Sequence, residues 1–280
     1  MSRISKHDAT IATLAYGDVF DYSLTRQGVS RWFLFYPVTG LRIPENPGFS
    51  IARREAPRQI RKWKIAERAG RWLSLIPTIH MVGVTGGLAM NNAGVEDDID
   101  LFFIVAGGTL WVTRMLATIL MDILGLRRHP EDRRVADKVC LNMFMTERAT
   151  ALPTSDRDCF TAHEVLQMVP IWEQPGTYKR FLFTNRWAQR YLPNAWKEKN
   201  QTIVPKTYIS FPLVILCMRV FEWSSRYLQL WYMARHRTRE VITDTTLRFH
   251  PRDARVWVKR KLAARLKKHH IPLDKVFYAS

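Results

Sequence analysis

Cysteine is scarce in this chain. Its three thiols, Cys140, Cys159 and Cys217, are scattered without Cys-x-x-Cys spacing, which argues against a disulfide framework or a zinc site and favours a reducing compartment. The amino-terminal MSRISKHDATIATLAYG carries no apolar run of signal-peptide type with a small-residue cleavage site, so secretion is not expected and a cytoplasmic location is. Long hydrophobic runs are missing too. The longest, FPLVILCMRVF from Phe211 to Phe221, is interrupted by Arg219 and followed by Glu222. It falls short of the ~20 residues that span a bilayer, so membrane spanning is not expected and a buried helix is. No internal repeat or low-complexity tract stands out. Acid is also in short supply, with 25 Asp and Glu against 43 Lys and Arg, a net charge of +18. A field of that sign attracts nucleic acid, nucleotides or anionic lipid without choosing among them. Half of the excess lies between Arg235 and His270, where 12 Lys or Arg stand against 3 acidic residues.

Along the chain, residues 8 to 36 read as two short helices, one with Ile11 and Leu14 inward and a second starting near Thr25 with Val29, Trp32 and Phe33. A helix-turn-helix and a packed helical hairpin are both open here. The segment Leu41 to Phe49, with two prolines and a glycine, reads as a loop or wing. Ser50 is a candidate N-cap for a long basic helix from Ile51 to about Leu75, with Ile60, Trp63, Ala66 and Trp72 as its apolar stripe. A helix is expected over Leu110 to Leu124, a basic loop over Arg127 to Asp137 and a strand over Val139 to Met145. Two helices follow in residues 160 to 192, separated by a turn at Pro170 to Gly176, and helices dominate from Pro205 onward. The last has Val258, Leu262 and Leu266 at i, i+4 spacing.

The most informative stretch is MVGVTGGLAMNNAGVEDDIDLFFIV, from Met81 to Val105. A strand over Met81, Val82 and Val84 runs into the turn Thr85-Gly86-Gly87, a short helix over Leu88 to Asn91 follows, and Asp98-Ile99-Asp100 opens a second strand. Side chains alternate along a strand, so Asp98 and Asp100 share one face, within reach of one divalent cation, and Ile99 and Leu101 take the other. Glycines at 86 and 87 clear side chains from the turn, which lets backbone N–H groups approach a phosphate. Thr85 adds a hydroxyl donor. Glu96 and Asp97 precede the pair, and Asp97 points away from Asp98 if the strand is already regular there.

This region, about Val82 to Met145, resembles the nucleotidyltransferase superfamily with its polymerase-beta-like palm, in which a strand ending in a glycine pair, a helical turn and about ten residues lead to Asp-x-Asp on the next strand. Ten residues, Leu88 to Asp97, separate Gly87 from Asp98. The segments LAYGDVFDYSLT, HEVLQMVP and LRFHPRD resemble bacterial members of the same group. The resemblance implies an α+β fold, a small mixed-sheet palm flanked by an N-terminal helical, winged-helix-like or hairpin unit (1–48) and a basic helical C-terminal region (151–280), with the palm over 49–150. It also implies transfer of a nucleoside monophosphate from an NTP to an acceptor hydroxyl, with release of pyrophosphate. Asp98 and Asp100 would hold Mg²⁺ or Mn²⁺, and Thr85, Gly86 and Gly87 would meet the nucleotide.

Active members carry a third carboxylate on a later strand, and here that strand is KVCLNMFM, Lys138 to Met145. Alternation puts Val139, Leu141 and Met143 on one face and Cys140, Asn142 and Phe144 on the other. Asn142 then stands where the acid is expected, either beside the acceptor or second metal or simply satisfying backbone groups. An amide can ligate through oxygen but takes no proton at neutral pH. Asp137 and Glu147 flank the strand as substitutes. A catalytically impaired protein that binds nucleotide or nucleic acid is therefore the competing expectation. Arg127, Arg128, Arg133, Arg134 and Lys138 are candidates for a phosphate clamp. His163 with Glu164, and His250 with Arg252 and Asp253, fit capping or packing better than catalysis. The basic last helix, with Trp257 and Tyr278 nearby, suits a polynucleotide, a solvated face or a membrane surface.

Overall fold

A computed structural model describes residues 4–38, 43, 48–52, 59–201, 212–234, 241–249 and 254–278. In chain order its elements are α1 (Lys6–Val19), α2 (Arg26–Arg31), α3 (Ile60–Leu73), β1 (Ile79–Val84), α4 (Gly86–Ala89), β2 (Ile99–Val105), α5 (Leu110–Ile123), β3 (Val139–Thr146), α6 (Cys159–Gln167), β4 (Val169–Glu173), α7 (Thr177–Thr184), α8 (Pro193–Gln201), α9 (Pro212–Val220), α10 (Glu222–Met233), β5 (Val241–Ile242), β6 (Thr246–Arg248), α11 (Ala254–Lys267) and α12 (Leu273–Phe277). The protein is α+β, as expected. Six strands form one mixed sheet in the order β4-β1-β2-β3-β6-β5. Only β2 and β3 run parallel, and helix α5 makes the crossover between them.

Both faces of the sheet are covered, which is why β1 and most of β2 are buried on alternate residues of either parity. On one face Ile79, Val82, Val84, Leu101, Phe103 and Phe144 pack under α3, α5 and the end of α10. Met81, Phe102, Ile104 and Met145 face the other way, onto α1, α2, α6, α7, α11 and α12. Asp98 and Asp100 fall in phase with Phe102 and Ile104 on this second face, and Ile99 and Leu101 with the first, as the alternation predicts.

The helices begin where capping side chains occur. Ser5, Thr25 and Asp158 each accept from a backbone N–H three residues on, at 3.0, 3.0 and 2.8 Å, opening α1, α2 and α6. At the N-terminus α1 packs on α2 and α11, and α2 on α8. Helix α1 is enclosed on almost all sides, Leu34 N–H donates to Thr13, and α2 has only six residues. The wing assigned to Leu41 to Phe49 lies largely outside the described residues.

Several element expectations are corrected. The long helix expected from Ile51 is α3, Ile60–Leu73, and Ala52 is extended, bridging to Thr25 and donating to the Leu24 carbonyl at 3.0 Å. Its buried stripe is Lys62, Trp63, Ala66, Ala69, Gly70 and Leu73, so Ile60 and Trp72 turn outward. The turn at Pro170 to Gly176 is mostly strand β4, an edge strand antiparallel to β1, where a proline is tolerated. A short hairpin, β5 and β6, adds to β3 from within the segment read as helical. Strands from beyond residue 150 thus complete the sheet that begins in 49–150. The apolar run is not buried over its described residues, 212–221: most of α9 is exposed, with Ile215 and Met218 half-buried, because α10 takes the contact with α5. Among the described residues no helix is long and apolar enough to cross a membrane. The last helix, α11, does bury Val258, Leu262 and Leu266, and Arg255 and Arg265 pin it to Asp156 and Asp18.

Candidate metal and nucleotide site

The site forms where β1 turns into α4 beside the start of β2. Thr85 N–H donates to the Asp100 carbonyl at 3.0 Å, extending the strand pairing one residue past β1. The chain then reverses at Gly86, whose φ of +64° suits glycine. A Cβ on Gly86 would meet Asp100 Oδ2 at 2.6 Å, so the turn backbone lies directly against that carboxylate. Gly87 has a different part: its carbonyl accepts from Asn92 N–H at 2.8 Å and closes the loop after α4. The Thr85 hydroxyl is 3.5 Å from the Asp100 carbonyl, a weak contact within the turn.

Asp98 and Asp100 come together as expected. One carboxylate oxygen of each and the Cys140 sulfur lie within 4.8 Å of one another. Cys140 is the residue of β3 that pairs with Asp100 across the two parallel strands. Asn142 is close as well, its Nδ2 donating to Asp100 Oδ1 at 3.1 Å. Both reach Asp100 because β3 is bulged: Leu101 pairs with Leu141 but Phe102 pairs with Met143, leaving Asn142 as the extra residue. The bulge corrects the alternation expected for this strand. Met143 turns to the site side with Met145, and Phe144 goes to the opposite core, stacked on Phe103 with ring centroids 4.3 Å apart.

Neither flanking acid substitutes for the missing third carboxylate. Asp137 is held by Lys62 and Arg61, at 3.1 and 2.9 Å. Glu147 lies past the far end of β3, where it pairs with His80 at 3.1 Å. Of the five clamp candidates one reaches the site: Arg128 donates to Asp98 Oδ2 at 2.6 Å. Arg127 pairs with Asp122, Lys138 donates to the Gly125 carbonyl, and Arg133 and Arg134 are not brought to the carboxylates. Asp97 accepts from Gly94 N–H at 2.7 Å and so belongs to the loop rather than the pair.

Lys62, which no sequence motif singles out, and Glu164, expected only to cap or pack, also bear on the site. Lys62, almost fully buried on α3, donates to the carbonyls of Val95 and Asp97 and to Asp137 Oδ1, fixing the loop that delivers Asp98. Its signal was present, since Lys62 falls in phase with the buried Ala66, Ala69 and Leu73. The charge of Glu164 on α6 adds to those that raise the Asp100 carboxyl. No spacing marks Glu164, because only the packing of α6 under the sheet brings its charge to bear. Its neighbour His163 is a packing group, stacked on Tyr16 at 3.8 Å and bound to the Cys159 carbonyl. Burial pushes that imidazole down to about 4, so it is neutral near pH 7. His250, Arg252 and Asp253 lie outside the described residues.

Burial, with the charges of Asp98 and Glu164 added, pushes the Asp100 carboxyl up to about 7. Burial likewise raises Glu164 to about 7, against the pull of Arg248. The Cys140 thiol is driven well upward by burial and by both aspartates, so it stays protonated. Such crowding of carboxylates is what a divalent cation relieves. The donor set fits a hard ion: two carboxylates, plus the Asn142 Oδ1, which is buried without a hydrogen-bond partner. A protonated thiol is a poor ligand for that ion and leaves the oxygens as the ligating atoms.

No protein-family model matches this chain. No curated protein matches it significantly either. The site therefore rests on its own geometry and on the order of turn and carboxylates in the sequence.

Proposed function

We propose that this protein is a metal-dependent nucleotidyltransferase that moves a nucleoside monophosphate from an NTP to an acceptor hydroxyl and releases pyrophosphate. The observation that carries the reading is the meeting of Asp98 and Asp100 with the Gly86 turn packed against the Asp100 carboxylate. Asp98 and Asp100 would hold Mg²⁺ or Mn²⁺, with the Asn142 amide oxygen as a further donor. When bound, such an ion supplies charge neutralisation for a triphosphate and its pyrophosphate leaving group.

The rest falls to the chain. The small turn at Gly86 and Gly87 admits phosphate oxygens close to the backbone. Arg128, which pairs with Asp98, can exchange that partner for a phosphate oxygen, a charge-assisted contact of the same kind. In the transfer, the acceptor oxygen forms a bond to the α-phosphorus as the bond to the bridging oxygen breaks, and the hydroxyl proton must leave. Among the described residues no third carboxylate joins Asp98 and Asp100, so that proton passes to solvent.

A second reading has its own support. Cys140 and Asn142 occupy the strand positions beside Asp100, and neither takes a proton as a carboxylate does, which favours a protein that binds metal–nucleotide without turnover. Incubation with each α-labelled NTP, Mg²⁺ or Mn²⁺ and RNA, protein and small-molecule acceptors separates the two. Transfer that disappears in Asp98→Ala supports the enzyme. Nucleotide binding that depends on Asp98 with no transfer to any acceptor supports the second reading, and transfer undiminished in Asp98→Ala contradicts the assignment.

A further inference from the structure

Helix α10 is oriented opposite to an ordinary surface helix. Its polar residues face the protein: Glu222 accepts from the N–H groups of Trp111 and Val112 at 2.9 Å, Gln229 donates to the Trp111 carbonyl at 2.8 Å, and Ser225 is buried. These contacts cap the N-terminus of α5 and leave the aromatic residues outside. Trp223 is 78% exposed and Tyr227 73%. The preceding helix α9 continues this surface, with Leu213, Leu216 and Val220 exposed, and Phe221 between the helices is exposed as well. A contiguous stretch of sequence that presents Leu, Val, Phe, Trp and Tyr to solvent marks an interaction surface rather than a solvated one.

We propose that α9 and α10 form a docking face that lies on an anionic phospholipid bilayer without crossing it. Tryptophan and tyrosine beside aliphatic residues suit the interfacial layer, where a ring is partly apolar and its polar atom stays wet. Charge complementarity selects the lipid. Arg219 on α9 is exposed while its Nε donates to the Gly107 carbonyl, Arg226 on α10 pairs with Asp244, and the whole chain carries +18. A second copy of this chain would carry the same net charge of +18, and like charge opposes self-association. A polynucleotide would match the arginines but not the aliphatic residues of α9. The helices have 9 and 12 residues, too short to span and long enough to lie flat. Through α5 this face sits on the side of the sheet opposite the one to which Asp98 and Asp100 point, so docking leaves the carboxylate site uncovered.

The test is flotation of the full chain with vesicles of phosphatidylcholine alone and of phosphatidylcholine mixed with phosphatidylglycerol. A Trp223→Ser, Leu216→Ser variant serves as the comparison, its fold checked by circular dichroism and its association state by sedimentation velocity. Both side chains are exposed, so the variant is expected to fold. The proposal predicts flotation with the anionic vesicles, weakened by salt, quenching of tryptophan emission by brominated lipid, and loss of both in the variant. Sedimentation of the wild type away from anionic vesicles overturns it, as does equal flotation with neutral vesicles or flotation unchanged in the variant. A concentration-dependent dimer abolished by the same substitutions, without vesicle binding, assigns the face to self-association instead.

Discussion

The Asp100 carboxylate fills the space that a side chain on Gly86 would need, with Oδ2 2.6 Å from the position of a Cβ. Turn and carboxylate therefore constrain each other: the glycine is required twice, for its positive φ and for the room it leaves.

Gly86→Ala is expected to lower stability by about 1–2 kcal/mol from the left-handed backbone alone, and to push Asp100 aside. Mn²⁺ affinity should fall by about tenfold or more, in the range seen when groups that orient metal ligands are lost. Urea denaturation and Mn²⁺ titration of the same preparations check the two effects. Wild-type metal affinity in the variant would mean that the turn does not position Asp100.

Asp100 should destabilise the metal-free protein at neutral pH. With its carboxyl raised to about 7, the folded state keeps a proton that the unfolded chain, near 3.8, gives up. Stability from this group is complete below about 4 and lost as pH rises through 7, an effect on the order of 1–4 kcal/mol. Asp100→Asn should therefore raise the Tm of the metal-free protein at pH 8 and change it little at pH 4, while abolishing stabilisation by Mg²⁺. Thermal denaturation at both pH values, with and without metal, checks the sign. A Tm lowered at pH 8 would contradict it.

Lys62→Met removes the cation that joins Val95, Asp97 and Asp137. Buried oxygens lose their partner, and a loss of about 3 kcal/mol is expected. Because the loop leading to Asp98 is released, metal affinity should fall with stability. Denaturation midpoints and Mn²⁺ titration measure both, and a neutral effect on stability would show that the lysine is not the anchor described.

The contrast between β2 and β3 shows what the sequence could and could not carry. At the entry to β2 the run Asp98-Ile99-Asp100-Leu101 alternates acidic and apolar residues, so Asp98 and Asp100 were placed on one face by counting alone. In β3 the same counting fails after Leu141, because a bulge at Asn142 adds a residue that periodicity cannot register. Strand β4, five residues with a proline, and the hairpin strands β5 and β6, two and three residues long, are too short for a pattern to emerge and exist through pairing with the sheet. Lys62 was legible as a lysine in a buried stripe. Glu164 was not, since its effect on Asp100 depends on where α6 packs. For α10 the amphipathic pattern is present but its direction is set by the N–H groups at the start of α5, to which Glu222 is drawn.

Asp98 and Asp100 are proposed to hold, together, a divalent cation for a nucleotide. Mn²⁺ binding followed by electron paramagnetic resonance, with and without NTP, in the wild type, Asp98→Asn and Asp100→Asn, tests it most directly. The account predicts Mn²⁺ binding by the wild type that tightens with NTP and is lost in each variant. Mn²⁺–NTP bound equally well by all three proteins would contradict it.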